Sequence, residues 1–354
     1  MERENELLEQ LASRPFDRTL RLVFADWLSE RGDPRGEVIA LAERGSLSLS
    51  ERRRLARLIE DNARKWLGPL VELADAASCR FEGGFLSHLA CQTPTSAEAW
   101  RRLADDVRLA TVTSVTLPVG PESPDQGVFL RSPRLKEVKR LQATASAWGL
   151  LRAAPQPAFS LLDVAVSSWS VFRQELEVLA AVEAIRGARR LELVTSEFVN
   201  PLVVKEITDA LLSQKGAWRH LHEVRLLPRF GVVEGAAHWL LGGAVQGWER
   251  WWRAGQRWSV EYGETLFSLE RPEGRFTSLR IELSQHDELT GLGQRISVAA
   301  SVLVQLGSAG LTSVEVVVPL GARLRASERD ALRAAARRLG TVKVFAIGGV
   351  LLPP

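Results

Sequence analysis

The chain has 354 residues, 45% hydrophobic and 25% charged, which is the composition of a folded protein and excludes global disorder. Its formal net charge is only +3. Residues 1–78 carry 13 Lys+Arg against 15 Asp+Glu and the remainder 33 against 28, so neither part shows the one-sided field of a dedicated nucleic-acid binder. Two cysteines, Cys79 and Cys91, indicate no disulfide framework. The charged start Met1-Glu2-Arg3-Glu4 does not resemble a signal peptide, and no apolar run reaches the length of a membrane helix. A cytoplasmic protein is expected.

Residues 1–78 read as four short helices in a bundle. Leu7, Leu8 and Leu11 share one face of the first, which stops at Pro15. Asp17 is the expected N-cap of the second, with Leu20, Val23, Phe24, Trp27 and Leu28 on its apolar face. Gly32-Asp33-Pro34 ends that helix and begins a third carrying Val38, Ile39 and Leu41. Ser50 is expected to open the fourth, with Arg53 at the place of a capping-box Glu; Leu55, Leu58, Ile59 and Trp66 follow, and Gly68-Pro69 ends it.

The run from Phe24 through Ala25-Asp26-Trp27-Leu28-Ser29-Glu30-Arg31-Gly32-Asp33-Pro34-Arg35-Gly36-Glu37 to Ile39 resembles the opening of the bacterial repeat-companion domain. Trp66-Leu67-Gly68-Pro69-Leu70 and Phe81-Glu82-Gly83-Gly84-Phe85 extend the likeness over residues 4–90. The resemblance implies a repeat array downstream, often leucine-rich, and no catalytic activity. Asp26, Glu30, Asp33 and Glu37 are carboxylates that suit a hard cation. The simpler expectation is that Asp33 caps a helix while Glu30 and Glu37 pair with Arg31 and Arg35 or face water. Arg52-Arg53-Arg54 with Arg57 reads as a solvated helix face.

Phe81-Glu82-Gly83-Gly84-Phe85 reads as a hairpin whose glycines supply positive φ, a cap for the array behind it. A Leu-x-x-Leu-x-Leu cadence then recurs, with middle positions at Val115, Val138, Val164, Leu191, Val224, Leu279, Val314 and Val342. The spacings are 23, 26, 27, 33, 55, 35 and 28 residues, mostly in or near the leucine-rich-repeat range. Helical patterns fill the intervals at 97–109, 172–185, 203–212, 295–306 and 327–339. A doubly wound sheet is covered on both faces and has continuous apolar strands. Here the strands interleave Arg190, Glu192, Glu223, Arg225, Arg280, Glu282 and Glu315. One face is therefore expected to be wet.

The expected fold is an α/β solenoid: a helical head over 1–78, then over 79–354 an irregular leucine-rich-repeat-like horseshoe of the ribonuclease-inhibitor type, with a parallel sheet and outer helices. The repeat family's turn Asn is missing throughout. The 55-residue interval holds Trp239, Trp248, Trp251, Trp252 and Trp258, five of eleven tryptophans. It reads as an insertion at about 232–274: a Trp-rich helix, then an antiparallel meander with a type II′ turn at Gly263-Glu264.

Strands stacked in chain order place Thr116, Lys139, Ala165, Glu192, Arg225, Arg280, Glu315 and Lys343 in one outward column, and Asp163, Arg190 and Glu223 in another. Glu192 should face Arg225, and Arg280 should face Glu315; such pairs set register or form a charged platform. A third column, Val194, Leu227, Val317 and Phe345, is more apolar than a wet face requires and is the preferred partner contact. Trp248, Trp251 and Trp252 with Arg250 and Arg253 are a second candidate, as a peptide anchor or a stacking surface for bases. Such tryptophans more often seal an insertion onto its scaffold.

Cys79, His88 and Cys91 lack a fourth ligand and CxxC spacing, and His220 and His222 lack a third ligand. No phosphate-binding loop, nucleophile elbow or metalloprotease motif is present. No catalytic residue, metal or cofactor is expected. The expected function is a non-catalytic protein-interaction scaffold that uses the sheet face and the Trp-rich insertion; nucleic-acid binding through Arg250, Arg253 and Arg257 is the alternative.

Overall fold

The computed structural model describes residues 2–352 except 121, 153–156, 169–171, 196–200, 215, 229–232, 244–255, 263, 271–277, 284–291, 307–310, 319–323, 340–341, 343 and 348–349. The chain forms two compact units, Met1–Leu162 with Val182–Ile185, and Asp163–Ala181 with Arg186–Pro354. The division falls at 162/163, whereas the sequence pattern divides at 78/79. Both units are α/β, and within each unit every strand pairs with the next in sequence. Among the described residues no helix is long and apolar enough to cross a membrane.

The first unit begins with α1 (Glu2–Ser13), α2 (Arg18–Ser29), α3 (Pro34–Ala42) and α4 (Leu49–Leu67). Asp17 caps α2, its carboxylate accepting from the Thr19 and Leu20 amides, and Asp33 caps α3 by accepting from the Arg35 amide. The cap of α4 differs from expectation. Ser48, not Ser50, is the N-cap, and Glu51 closes a complete capping box with it. Leu7, Leu8, Leu11, Phe24, Ala25, Leu28 and Ile39 form one core with Phe85.

Phe85 belongs to the hairpin, which is why head and hairpin share a unit. β1 (Arg80–Glu82) and β2 (Phe85–Ala90) are antiparallel, with Glu82 opposite Phe85 and Gly83 and Gly84 at φ 55° and 77°. Positive φ at both central residues is the type I′ turn that the two glycines predict. A Cβ on Gly84 would lie 2.7 Å from Ile39 Cγ1, so the turn docks directly on α3. Then come α5 (Glu98–Leu103), β3 (Ser114–Thr116), α6 (Pro124–Leu130), β4 (Arg140–Ala143) and α7 (Ala145–Gly149). β2, β3 and β4 are parallel. Helices α6 and α7 went unread because each is too short to show a periodicity.

In β4 the register departs from the sequence reading. Leu141, not Val138, lies opposite Val115, and Gln142, not Lys139, lies opposite Thr116. The reason is visible in the residues: Leu135, Val138 and Leu141 are spaced by three, so the cadence fits at two positions three residues apart. All three are buried, so burial alone does not decide between them.

The second unit runs β5 (Asp163–Ser168), α8 (Phe172–Ala180), β6 (Arg190–Thr195), α9 (Pro201–Ser213), β7 (Glu223–Pro228), α10 (Val233–Gly243), β8 (Arg257–Tyr262), β9 (Thr265–Glu270), β10 (Ser278–Leu283), α11 (Leu292–Leu306), β11 (Ser313–Val317), α12 (Ala326–Arg337), β12 (Val344–Ile347) and β13 (Val350–Leu352). β5 to β8 are parallel, as are β10 to β12; β9 is antiparallel to both its neighbours, and β13 to β12. Each of α8 to α12 packs against the next, so sheet and helix layer advance together. The core lies between them, with Leu191, Val224, Trp258, Leu279 and Val314 buried under Leu179, Ile207, Trp239, Leu303 and Leu332.

The expected insertion is smaller than 232–274. β8 pairs in parallel with β7, Val224 opposite Trp258, so the Trp258 segment is itself the next strand of the series. The interruption reduces to β9, a return strand that restores the parallel direction at β10. Tryptophan at the middle position, where the other strands carry Leu or Val, concealed this. The Trp258 ring stacks on Trp239 at 4.2 Å and its Nε1 donates to Trp239 O, while Trp239 Nε1 donates to Ser259 O, each at 2.6 Å. These two tryptophans seal α10 onto the sheet, as Trp-rich segments more often do. The β8–β9 turn differs as well: Glu264 adopts φ 58°, whereas a type II′ turn has negative φ at its second central residue. Glu264 also accepts from the buried Arg295 guanidinium at 2.6 Å, tying the turn to α11.

At β12 the three-residue slip recurs. Phe345 lies opposite Val314 and Ala346 opposite Glu315, because Leu339, Val342 and Phe345 are again spaced by three. Phe345 thus shares the register position of Val314, not that of Val317 as expected, and the column position assigned to Lys343 is held by Ala346.

A charged and apolar face on the sheet of the second unit

The side of the sheet away from α8–α12 carries three rows that follow the strand register from β5 to β11. The first reads Asp163, Arg190, Glu223, Arg257, Glu270, Ser278, Ser313. The second reads Ala165, Glu192, Arg225, Ser259, Ser268, Arg280, Glu315, and the third Ser167, Val194, Leu227, then Glu261, one residue beyond the last β7–β8 pair Leu226–Val260, then Leu266, Glu282, Val317. Period-two alternation in each strand puts these residues on one side and the aliphatic core on the other.

The expected pairs form. Arg225 lies 3.8 Å from Glu192, and Arg280 is 3.0 Å from Glu315. In the first row Arg190 reaches Asp163 at 3.5 Å and Glu223 at 2.9 Å. Burial opposes the Arg190 charge, but Glu223 and Asp163 outweigh it and raise its pKa. The hydrogen bond that Arg280 donates to Glu282, then the Glu315 charge, does the same for Arg280. Three partners went unread: Glu261 for Arg225, Glu270 for Arg257 and Glu282 for Arg280. The first two sit on β8 and β9, which the sequence reading had set apart as an insertion.

The face is drier than its charge pattern predicts. Glu192 is 3% exposed, and Ala165, Ser259 and Ser268 are fully buried. The Ser259 hydroxyl donates to Ser268 Oγ at 3.0 Å. The third row keeps partly exposed apolar positions at Leu227, Leu266 and Val317, while Val194 is nearly buried at 9%. Val194, Arg225, Leu227, Arg280 and Val317 are therefore brought onto one face. Phe345 is not in their row. Trp248, Trp251 and Trp252, with Arg250 and Arg253, lie outside the described residues.

The remaining candidates separate. Among the described residues no three His, Cys, Asp or Glu side chains converge on a common point. Cys91 is buried and Cys79 half-buried; burial raises both thiols, and both are free. His88 bonds the Ser114 hydroxyl at 2.9 Å, and its pKa is lowered by burial, then by Arg80 and Arg140. His220 and His222 are exposed. In the head, Glu37 pairs with Arg54, not with Arg35, and that hydrogen bond lowers its pKa. Asp33 also meets Lys65 at 3.2 Å, and Glu30 reaches Arg31 at 3.8 Å. Arg35 is instead buried, donating from Nε to Gly84 O at 2.7 Å.

Fold and face together define an α/β protein whose second unit has a mostly parallel sheet, one side under helices and the other bearing ordered rows of charge. Comparison of the chain with protein-family models, with characterised proteins and with solved structures finds no match.

Proposed function

We propose that this protein is a non-catalytic interaction scaffold: a repeat-companion head leading into a degenerate leucine-rich-repeat-like array that binds a partner protein on its sheet face. The observation that carries the proposal is the third row. Leu227, Leu266 and Val317 stay partly exposed on a side where smaller residues are buried, and paired charges rim them. Aliphatic contact bordered by ion pairs is the makeup of a protein–protein interface.

Clefts among the described residues include a trough of about 320 Å³ between α11 and α12, half of whose lining residues are alanines, and one of about 280 Å³ beside the hairpin. Nucleic acid fits the face poorly, because the three rows hold seven carboxylates against four arginines.

The test is recovery of the tagged full chain from its own cells, wild type beside Leu227→Asp and Trp252→Ala. A stoichiometric protein that accompanies the wild type and is lost with Leu227→Asp is the expected result. Its absence under several growth conditions, or equal retention by Leu227→Asp, overturns the reading.

A further inference from the structure

The third row has an internal order. From β7 to β11 it reads Leu227, Glu261, Leu266, Glu282, Val317, so apolar and acidic residues alternate strand by strand. Three of the four carboxylates paired with Arg225 and Arg280 are the more exposed members of their ion pairs, while the fourth, Glu192, is buried. Glu261, Glu282 and Glu315 are 42%, 36% and 41% exposed, whereas Arg225 and Arg280 are 21% and 34%. Each arginine is divided between two acids, Arg225 between Glu192 and Glu261 and Arg280 between Glu282 and Glu315. Four carboxylates thus share two guanidinium groups, and this part of the face is net negative in a chain that is net positive. An excess of partly exposed carboxylate beside apolar side chains fits a partner that brings cations and apolar groups together.

The spacing selects the partner's conformation. Neighbouring strands lie about 4.8 Å apart, so apolar positions two strands apart recur at about 10 Å. A helix advances about 10.5 Å from residue i to i+7, and its residues i+3 and i+4 fall midway. An extended chain repeats a face every two residues, at about 6.8 Å, and loses step with the row. We infer that the row from Leu227 to Val317 is a track for a short basic helix of a partner protein, lying across the strands. Its apolar residues, seven apart, sit over Leu227, Leu266 and Val317, and its Lys or Arg residues in the intervening turns sit over Glu261 and Glu282. This inference rests on the interaction-scaffold reading and adds the partner's chemistry to it.

Three synthetic helical peptides of equal length test it against the full chain by fluorescence anisotropy. One carries Leu at i, i+7 and i+14 with Lys between; in the second, Ser replaces Leu; in the third, Glu replaces Lys. The Leu/Lys peptide should bind at least ~10-fold more tightly than either control, with affinity falling as salt rises. Glu261→Gln with Glu282→Gln should weaken it at least ~5-fold, and so should Leu227→Ser, each ~5-fold loss being about 1 kcal/mol. Circular dichroism and thermal unfolding check that the variants fold; Glu315→Gln with Val317→Ser serves as a second set on a different strand. No saturable binding of the Leu/Lys peptide, no preference among the three, or unchanged affinity in folded carboxamide variants overturns the inference. Preferred binding of the Leu/Glu peptide, lost with Leu227→Ser, overturns the basic partner while leaving the face as a docking surface. Peptide binding that none of the face variants alters overturns the track, and the cell-recovery experiment then decides the scaffold reading by itself.

Discussion

His88 shows how one side chain records the sheet built around it. It stands on β2 with Arg80 opposite on one side and Ser114, followed by Arg140, on the other. Burial and the two guanidinium groups all disfavour its imidazolium, and its folded pKa lies below the ordinary 6.5. Between those two pKa values the unfolded chain binds more protons than the folded one. The stabilisation is therefore complete above pH 6.5 and is lost as pH falls from there through the folded pKa. Tm of the wild type should drop more steeply than that of His88→Asn below that pH, with the two curves parallel above it. Parallel curves throughout, in a scan by differential calorimetry, would show that the environment of His88 does not perturb it.

At the scale of elements, the head motif resolves into separate tasks. Asp33 caps α3 and Pro34 occupies its first turn. Gly36 lets α3 approach α2, since a Cβ there would lie 2.5 Å from Ala25 O. Arg35, between them, crosses from α3 to the hairpin: it bonds Gly84 O, and its guanidinium carbon sits 5.5 and 5.3 Å from the Phe24 and Phe85 ring centres. Arg35→Met keeps much of the volume but leaves a buried carbonyl without its charged donor. It should cost about 2–3 kcal/mol in urea unfolding. A loss within experimental error would mean that the hairpin docks through Phe85 alone. The caps were legible because Asp and Pro act on backbone one to three residues away. The Arg35 contact was not, because its acceptor is 49 residues distant. Register shows the same divide: Val224 and Leu191 were placed correctly, while Val138 and Val342 were not, because apolar residues three apart make the cadence ambiguous.

For the whole molecule, the order of the strands matters more than the identity of any one. In the second unit, sheet and helix neighbours are mostly neighbours in sequence, whereas in the first the hairpin packs back on α2 and α3, so a local injury should spread little beyond the elements it touches. In hydrogen exchange by mass spectrometry, Arg35→Met should speed exchange in α2, α3, β1 and β2 while β10 and β11 keep wild-type protection. Uniform acceleration along the chain would show instead that it unfolds as one cooperative block. What the sequence determined by itself was set by short-range physics: the Asp caps of α2 and α3, the Gly-Gly hairpin, the strand-and-helix alternation and most of the charged pairs between successive strands. Tertiary structure decided what depends on partners far along the chain. It placed Trp258 in the series beside Val224, because only pairing distinguishes a strand of the array from an insertion. It moved Phe345 out of the row of Val317, and it set Glu261 and Glu282 between Leu227, Leu266 and Val317. That alternation of acid and apolar residues runs across strands, perpendicular to the chain, where no sequence periodicity reports it.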